Sequence, residues 1–215
     1  MKILILGAGR VGGSLARELV DNGYDVSVID INKSVLSSLE ENLDIMTVEG
    51  HASHPISIKK AGADESTTVI AVTSDDEVNI IGCQISKKRF NVSKTICRLT
   101  EGSYSEDLEI FGEKVIDIVI SPENEVMTHL KELIIHPGAQ QIENFANGKV
   151  SLVNVKAKKK GKLVGRELKG IKEDMPDADA FVASIYRKGK PFIPSGDTII
   201  KENDEIYFIS SASNI

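Results

Sequence analysis

Gly7, Gly9 and Gly12 stand between the apolar run Lys2–Leu6 (KILIL) and residues 14–20 (SLARELV), whose leucines and valine recur at helical spacing. In the hexapeptide Gly7-Ala8-Gly9-Arg10-Val11-Gly12, each glycine has a separate physical task. Gly7 permits a tight turn, Gly9 lets the backbone approach a pyrophosphate, and Gly12 lets helix and strand pack closely. The free amides of the helix start and its partial positive charge then face the phosphates. Asp30 closes the next strand, 21 residues after Gly9. A carboxylate there accepts hydrogen bonds from ribose hydroxyls and repels a 2′-phosphate. With only Lys33 as a nearby cation, the pattern favours NAD or NADH over the phosphorylated cofactor.

Such a cradle serves either hydride transfer or simple recognition of the nucleotide. Hydride transfer needs a proton donor or acceptor beside the nicotinamide and a substrate pocket. The four histidines are His51, His54, His129 and His136, and none follows residue 136. His51 and His54 flank Ala52-Ser53 beyond the third expected strand, where loop structure or contact with the edge of a ligand is the expectation. No carboxylate or thiol spacing completes a metal site around them. No catalytic and no metal-ligating residue is assigned. An NAD-dependent oxidoreductase of unknown substrate is the alternative reading, and a transcriptional redox sensor a third.

The elements that must position these residues alternate between two periods. Strands are expected at Lys2–Leu6, Asp25–Asp30, 44–48 (DIMTV), 67–73 (TTVIAVT), 94–99 (KTICRL) and 115–120 (VIDIVI). Helices carry buried stripes such as Val35, Leu36 and Leu39, or Val78, Ile81 and Ile85 within 75–88. This alternation predicts an α/β fold, a doubly wound parallel Rossmann-type sheet with its ligand crevice at the carboxyl ends of the strands. After a helix over about 122–134, His136-Pro137-Gly138 breaks the rhythm. Strands are then expected at 150–155, 180–186, 198–200 and 205–209, with a short helix over 165–172, forming a small α+β domain. The expected division is 1–136 and 137–215.

The 215 residues are 41% hydrophobic and 27% charged, ordinary for a globular protein, with a net charge of −6. That charge argues against a general electrostatic grip on nucleic acid. The one basic cluster, 156–162 (KAKKKGK), has no aromatic residue for base stacking and reads as a solvated turn. No apolar run reaches the ~20 residues that cross a bilayer, and a cytoplasmic location is the expectation. Cys83 and Cys97 read as buried free thiols of a reducing compartment.

Several segments, in order, resemble the TrkA family, built from domains that regulate K⁺ conductance. They are GAGRVGGSLA, Asp30, GHASHP at 50–55, VIAVTSDDEVN at 69–79, ICR at 96–98, ISPE at 120–123 and HPGA at 136–139. The stretch from 148 to 210 is similar to the family's small C-terminal ligand-sensing domain. The resemblance implies a cytoplasmic regulator, peripheral to the inner face of the membrane, that binds NAD or NADH, or in other members ATP or ADP. It implies control of a TrkH/TrkG-like membrane K⁺ transporter subunit and assembly into dimers or larger rings. By family position, Gly7 to Val11 contact the pyrophosphate and Asp30 the ribose, while Thr73, Ser74 and Arg98 lie beside the nucleotide. Helix 122–134, with Val126, Leu130, Leu133 and Ile134, is the expected dimer contact or packs on its own sheet. Many members carry two such halves in tandem, so the chain is expected to be half of a longer protein or a single-unit member that assembles copies.

Overall fold

The computed structural model describes residues 1–100, 104, 115–146, 148–159, 161, 163–170 and 180–211. The chain divides into two compact units, Met1–Glu125 and Val126–Ile215.

In the first unit, β1 (Lys2–Leu6), β2 (Asp25–Asp30), β3 (Met46–Glu49), β4 (Thr67–Ala71), β5 (Lys94–Arg98) and β6 (Ile118–Ile120) form one parallel sheet. Its order is β3-β2-β1-β4-β5-β6, so the winding reverses between β1 and β4. Helices α1 (Arg10–Asp21), α2 (Lys33–Glu40), α3 (Pro55–Lys60) and α4 (Asp76–Phe90) connect the strands.

The side-chain alternation of β1 divides the core between the two faces. Ile3 and Ile5 pack with Ala16 of α1 and Leu36 and Leu39 of α2. Leu4 and Leu6 pack with Ile58 of α3 and with Ile80 and Cys83 of α4. Burial on both faces is what a parallel sheet requires, and it explains the near-continuous apolar strands. The Asp75 side chain caps α4 by accepting from Val78 N at 2.8 Å, and Asn32 caps α2 through Ser34 N. Gly9, at the N-cap of α1, offers no such side chain.

Helix α5 (Pro122–Ile135) begins in the first unit and continues into the second. The second unit holds an antiparallel sheet of β7 (Ala139–Phe145), β8 (Val150–Lys156), β9 (Ala180–Arg187), β10 (Lys190–Phe192) and β11 (Glu205–Ser211), ordered β10-β9-β11-β8-β7. Ile185, Ile200 and Ile206 are fully buried in its core. Asp204, at 1% exposure, meets Arg187 through two bonds, Nε–Oδ1 at 2.8 Å and Nη2–Oδ2 at 2.7 Å.

Several boundaries correct the sequence reading. β3 begins at Met46, and β6 spans only three residues. Residues 198–200 do not form a strand; Ile199 makes a single bridge to Glu167. Of the helix expected over 165–172, Leu168 to Gly170 are helical, and 171–179 lie outside the described residues. β7 and β10 were not expected at all. Cys83 and Cys97, far apart in sequence, are buried neighbours, and the adjacent Cys97 together with burial pushes the Cys83 thiol well up.

Candidate functional site

A cleft of about 370 Å³ opens where the sheet order reverses, at the carboxyl ends of β1, β2, β3 and β4. Topology alone puts a crevice here, because the crossovers leave β1 and β4 in opposite directions.

Gly7 turns the chain out of β1 with φ +102°, and its N–H bonds Ile29 O at 2.8 Å. A Cβ on Gly7 would sit 2.9 Å from Thr73 N, so the loop also passes close to the chain leaving β4. A Cβ on Gly12 would come 1.9 Å from Gly7 O, which locks α1 against the loop. Gly9 is different: a Cβ there meets nothing within 4 Å, and the space above it is open. Gly9 therefore leaves room in front of an uncapped helix start, as an approaching phosphate needs.

Asp30 is fixed by backbone amides. Its Oδ2 accepts from Ala8 N at 2.6 Å and its Oδ1 from Asn32 N at 2.7 Å. Each oxygen keeps a lone pair, so the carboxylate is oriented and still able to accept from a ligand hydroxyl. On the opposite wall, Thr73 N and Thr73 Oγ1 bond Asn79 Oδ1 at 2.9 and 2.7 Å. Asn79 is fully buried and also donates Nδ2 to Arg98 O at 3.0 Å, joining the ends of β4 and β5.

The expected residues thus fall into three groups. Gly7, Gly9, Asp30, Thr73 and Ser74 line the cleft. Ala8 and Gly12 shape it from behind, while Arg10 and Val11 are exposed on the first turn of α1. Arg98 stands apart from the lining; its Nη2 pairs with Glu123 Oε1 at 2.7 Å, and its buried Nε has no partner among the described residues. The Glu123 backbone amide and Arg98 together hold the Glu123 carboxyl below the usual range. Ile29, Ile31, Gly50, His51, Ala52, Val72, Asp75 and Val78 complete the lining. Of these, the sequence named His51, as loop structure or a contact at the edge of a ligand. The others were signalled only by their places at strand ends and within the motifs at 50–55 and 69–79, as was the strut Asn79.

The donor set fits a dinucleotide: open space over Gly9, uncapped amides at α1, and a carboxylate one strand away. Among the described residues, no group of three or more His, Cys, Asp or Glu side chains is arranged to hold a metal. No described helix is long and apolar enough to cross a membrane.

The TrkA-N domain model matches residues 3–122 and the TrkA-C domain model residues 152–215. Along its whole length the chain is 43% identical to the Trk system potassium uptake protein TrkA of Halomonas elongata, covering 48% of that protein. It is 41% identical, again over its whole length and 48% of the relative, to the protein of the same name from Vibrio alginolyticus. The chain therefore spans about half the length of the curated relatives it matches. A solved structure described as the GsuK channel bound to NAD superposes with a TM-score of 0.63 at 17% identity, over 99% of this chain and 38% of that one. The TrkA-N domain of the inner membrane protein ybaL from Escherichia coli gives 0.54 at 19% identity, over 62% of this chain and 96% of that domain. At such identities these two likenesses speak for the fold.

Proposed function

The chain belongs to the TrkA family, and on that premise we propose that it is a nucleotide-sensing regulatory unit of a Trk-type potassium uptake transporter. Its ligand is NAD or NADH, with ATP or ADP as the alternative. One observation carries the reading: similarity to the potassium uptake proteins runs through 100% of the chain, and that chain places an uncapped glycine loop beside Asp30. That solved structures of similar fold are described as bound to NAD and to ADP is in keeping with it.

In this reading Gly7 to Gly12 hold the pyrophosphate and Asp30 the ribose, while Thr73 and Ser74 border the ligand. Arg98 reaches it when released from Glu123. Bound NADH contributes charge and shape here, and the residues read it without reacting it. Residues 1–136, through α5, form the regulatory domain, and 137–215 a ligand-sensing domain. Val126, Leu130 and Ile134 of α5 are 59%, 54% and 78% exposed, and this apolar stripe fits contact with a second copy. The partner is a membrane K⁺ transporter subunit, which places the chain at the inner face of the membrane. A ligand gates such an assembly only through different affinities for its two states.

K⁺ uptake in cells that hold a Trk-type membrane subunit but lack its regulator tests this function. Expression of the chain restores uptake, and the Asp30→Ala chain does not. Uptake that is the same with and without the chain contradicts the proposal.

A further inference from the structure

We propose that His51 contacts the base of the bound nucleotide through Nε2–H and so sets the base preference of the cleft. The inference rests on the nucleotide-binding reading above. Its first support is topological. The strands run β1-β2-β3 outward from the reversal, about 4.8 Å apart. Phosphates over the β1 loop and a ribose at Asp30 on β2 put the base over the end of β3. His51 follows β3 there and lines the same cleft.

Its second support is the state of the ring. Ser53 N lies 3.4 Å from His51 Nδ1, and Ser53 Oγ 2.8 Å from it. A backbone N–H can only donate, so Nδ1 is an acceptor and the neutral ring carries its proton on Nε2. The His54 ring stacks behind, with centroids 4.8 Å apart and planes at 29°. The imidazole is thus held on one edge and one face. Among the described residues, Nε2 has no hydrogen-bond partner.

The carboxylates lining the same cleft, Asp30 and Asp75, make no hydrogen bond to His51. Asp30 takes the amides of Ala8 and Asn32, and Asp75 caps α4. The donor that Ser53 fixes is therefore available to the ligand. Purine bases offer ring nitrogens as acceptors along two edges, whereas cytosine carries its acceptors, N3 and O2, on one edge of a smaller ring that reaches less far from the ribose. A donor at the base position favours the purine.

Calorimetric titration of the whole chain with ADP and with CDP tests this, using His51→Ala and His51→Phe beside the unaltered chain. The unaltered chain binds ADP more tightly than CDP. His51→Ala lowers ADP affinity about tenfold, the worth of one hydrogen bond, and leaves CDP affinity nearly unchanged. His51→Phe keeps a ring against His54 without the donor, and it loses the preference as well. An ADP-to-CDP ratio unchanged in both variants overturns the role of His51 while leaving nucleotide binding in place. A full preference retained by His51→Phe overturns the donor. Failure of the unaltered chain to bind either nucleotide overturns the underlying reading together with the inference.

Discussion

Arg98, the last residue of β5, bonds Glu123, the second residue of α5, at 2.7 Å from Nη2 to Oε1. Beside it, Ser121 Oγ donates to Leu99 O at 2.6 Å. Two contacts therefore tie the end of the sheet next to the cleft to the start of the helix with the exposed apolar stripe. In the proposed function, an anionic ligand competes with Glu123 for this guanidinium. Glu123→Gln removes the competing charge and is expected to tighten NADH binding several-fold with little change in melting temperature. Unchanged affinity in a titration of the folded variant places Arg98 outside ligand binding.

Gly12→Ala places a methyl group 1.9 Å from Gly7 O. Neither backbone can yield without shifting α1, so the expected cost is at the upper end of the ~1–3 kcal/mol typical of overpacking. Denaturant unfolding measures that loss, and NADH binding falls with it because the loop and helix start move together. Gly9→Ala, whose Cβ meets no protein atom, is expected to fold normally and lose affinity alone.

The Asp204–Arg187 pair gives the second unit a defined acid limit. Burial raises the Asp204 carboxyl, but Arg187 and the Lys201 amide lower it further, leaving it below its ordinary 3.8. A carboxyl depressed by folding adds stability at pH above 3.8, and that stability is lost as pH falls through the folded value. Asp204→Ala leaves Arg187, about a quarter exposed, without its partner and is expected to destabilise the unit by about 2–3 kcal/mol. Melting curves from pH 7 to 3 check both points: the variant is less stable at pH 7, and the difference narrows towards pH 3.

The stripe on α5 predicts assembly. Leu130→Glu with Ile134→Glu puts charges on positions 54% and 78% exposed, where they do not disturb a core. Light scattering is expected to show a dimer or larger assembly for the unaltered chain and a monomer of unchanged helicity for the double variant. An unaltered chain that is monomeric throughout assigns the stripe no such role.

The first sheet was largely legible because burial on both faces demands continuous apolar strands, and KILIL, DVSVID and TTVIA satisfy that demand. β7 was not, because AQQIENF buries only Ile142 and otherwise presents exposed or half-buried side chains. β10 is too short to show a period, and residues 198–200 have β-branched residues but only one bridge to pair with. α4 runs to Phe90, two residues past its expected end at 88, because Asn91 ends it in the left-handed region at φ 53°. At the site, the glycines and Asp30 were readable from spacing. The strut from Asn79 to Arg98, the Arg98–Glu123 pair and the Ser53-fixed imidazole depend on contacts that spacing does not encode.

The central claim is that the glycine loop and Asp30 bind a dinucleotide, and titration of the purified chain with NADH, followed by cofactor fluorescence, tests it most directly. Saturable binding at one site per chain, weakened about tenfold or more in an Asp30→Ala chain with an unchanged melting temperature, is the predicted result. Absence of saturable binding, or equal affinity in the two chains, contradicts it.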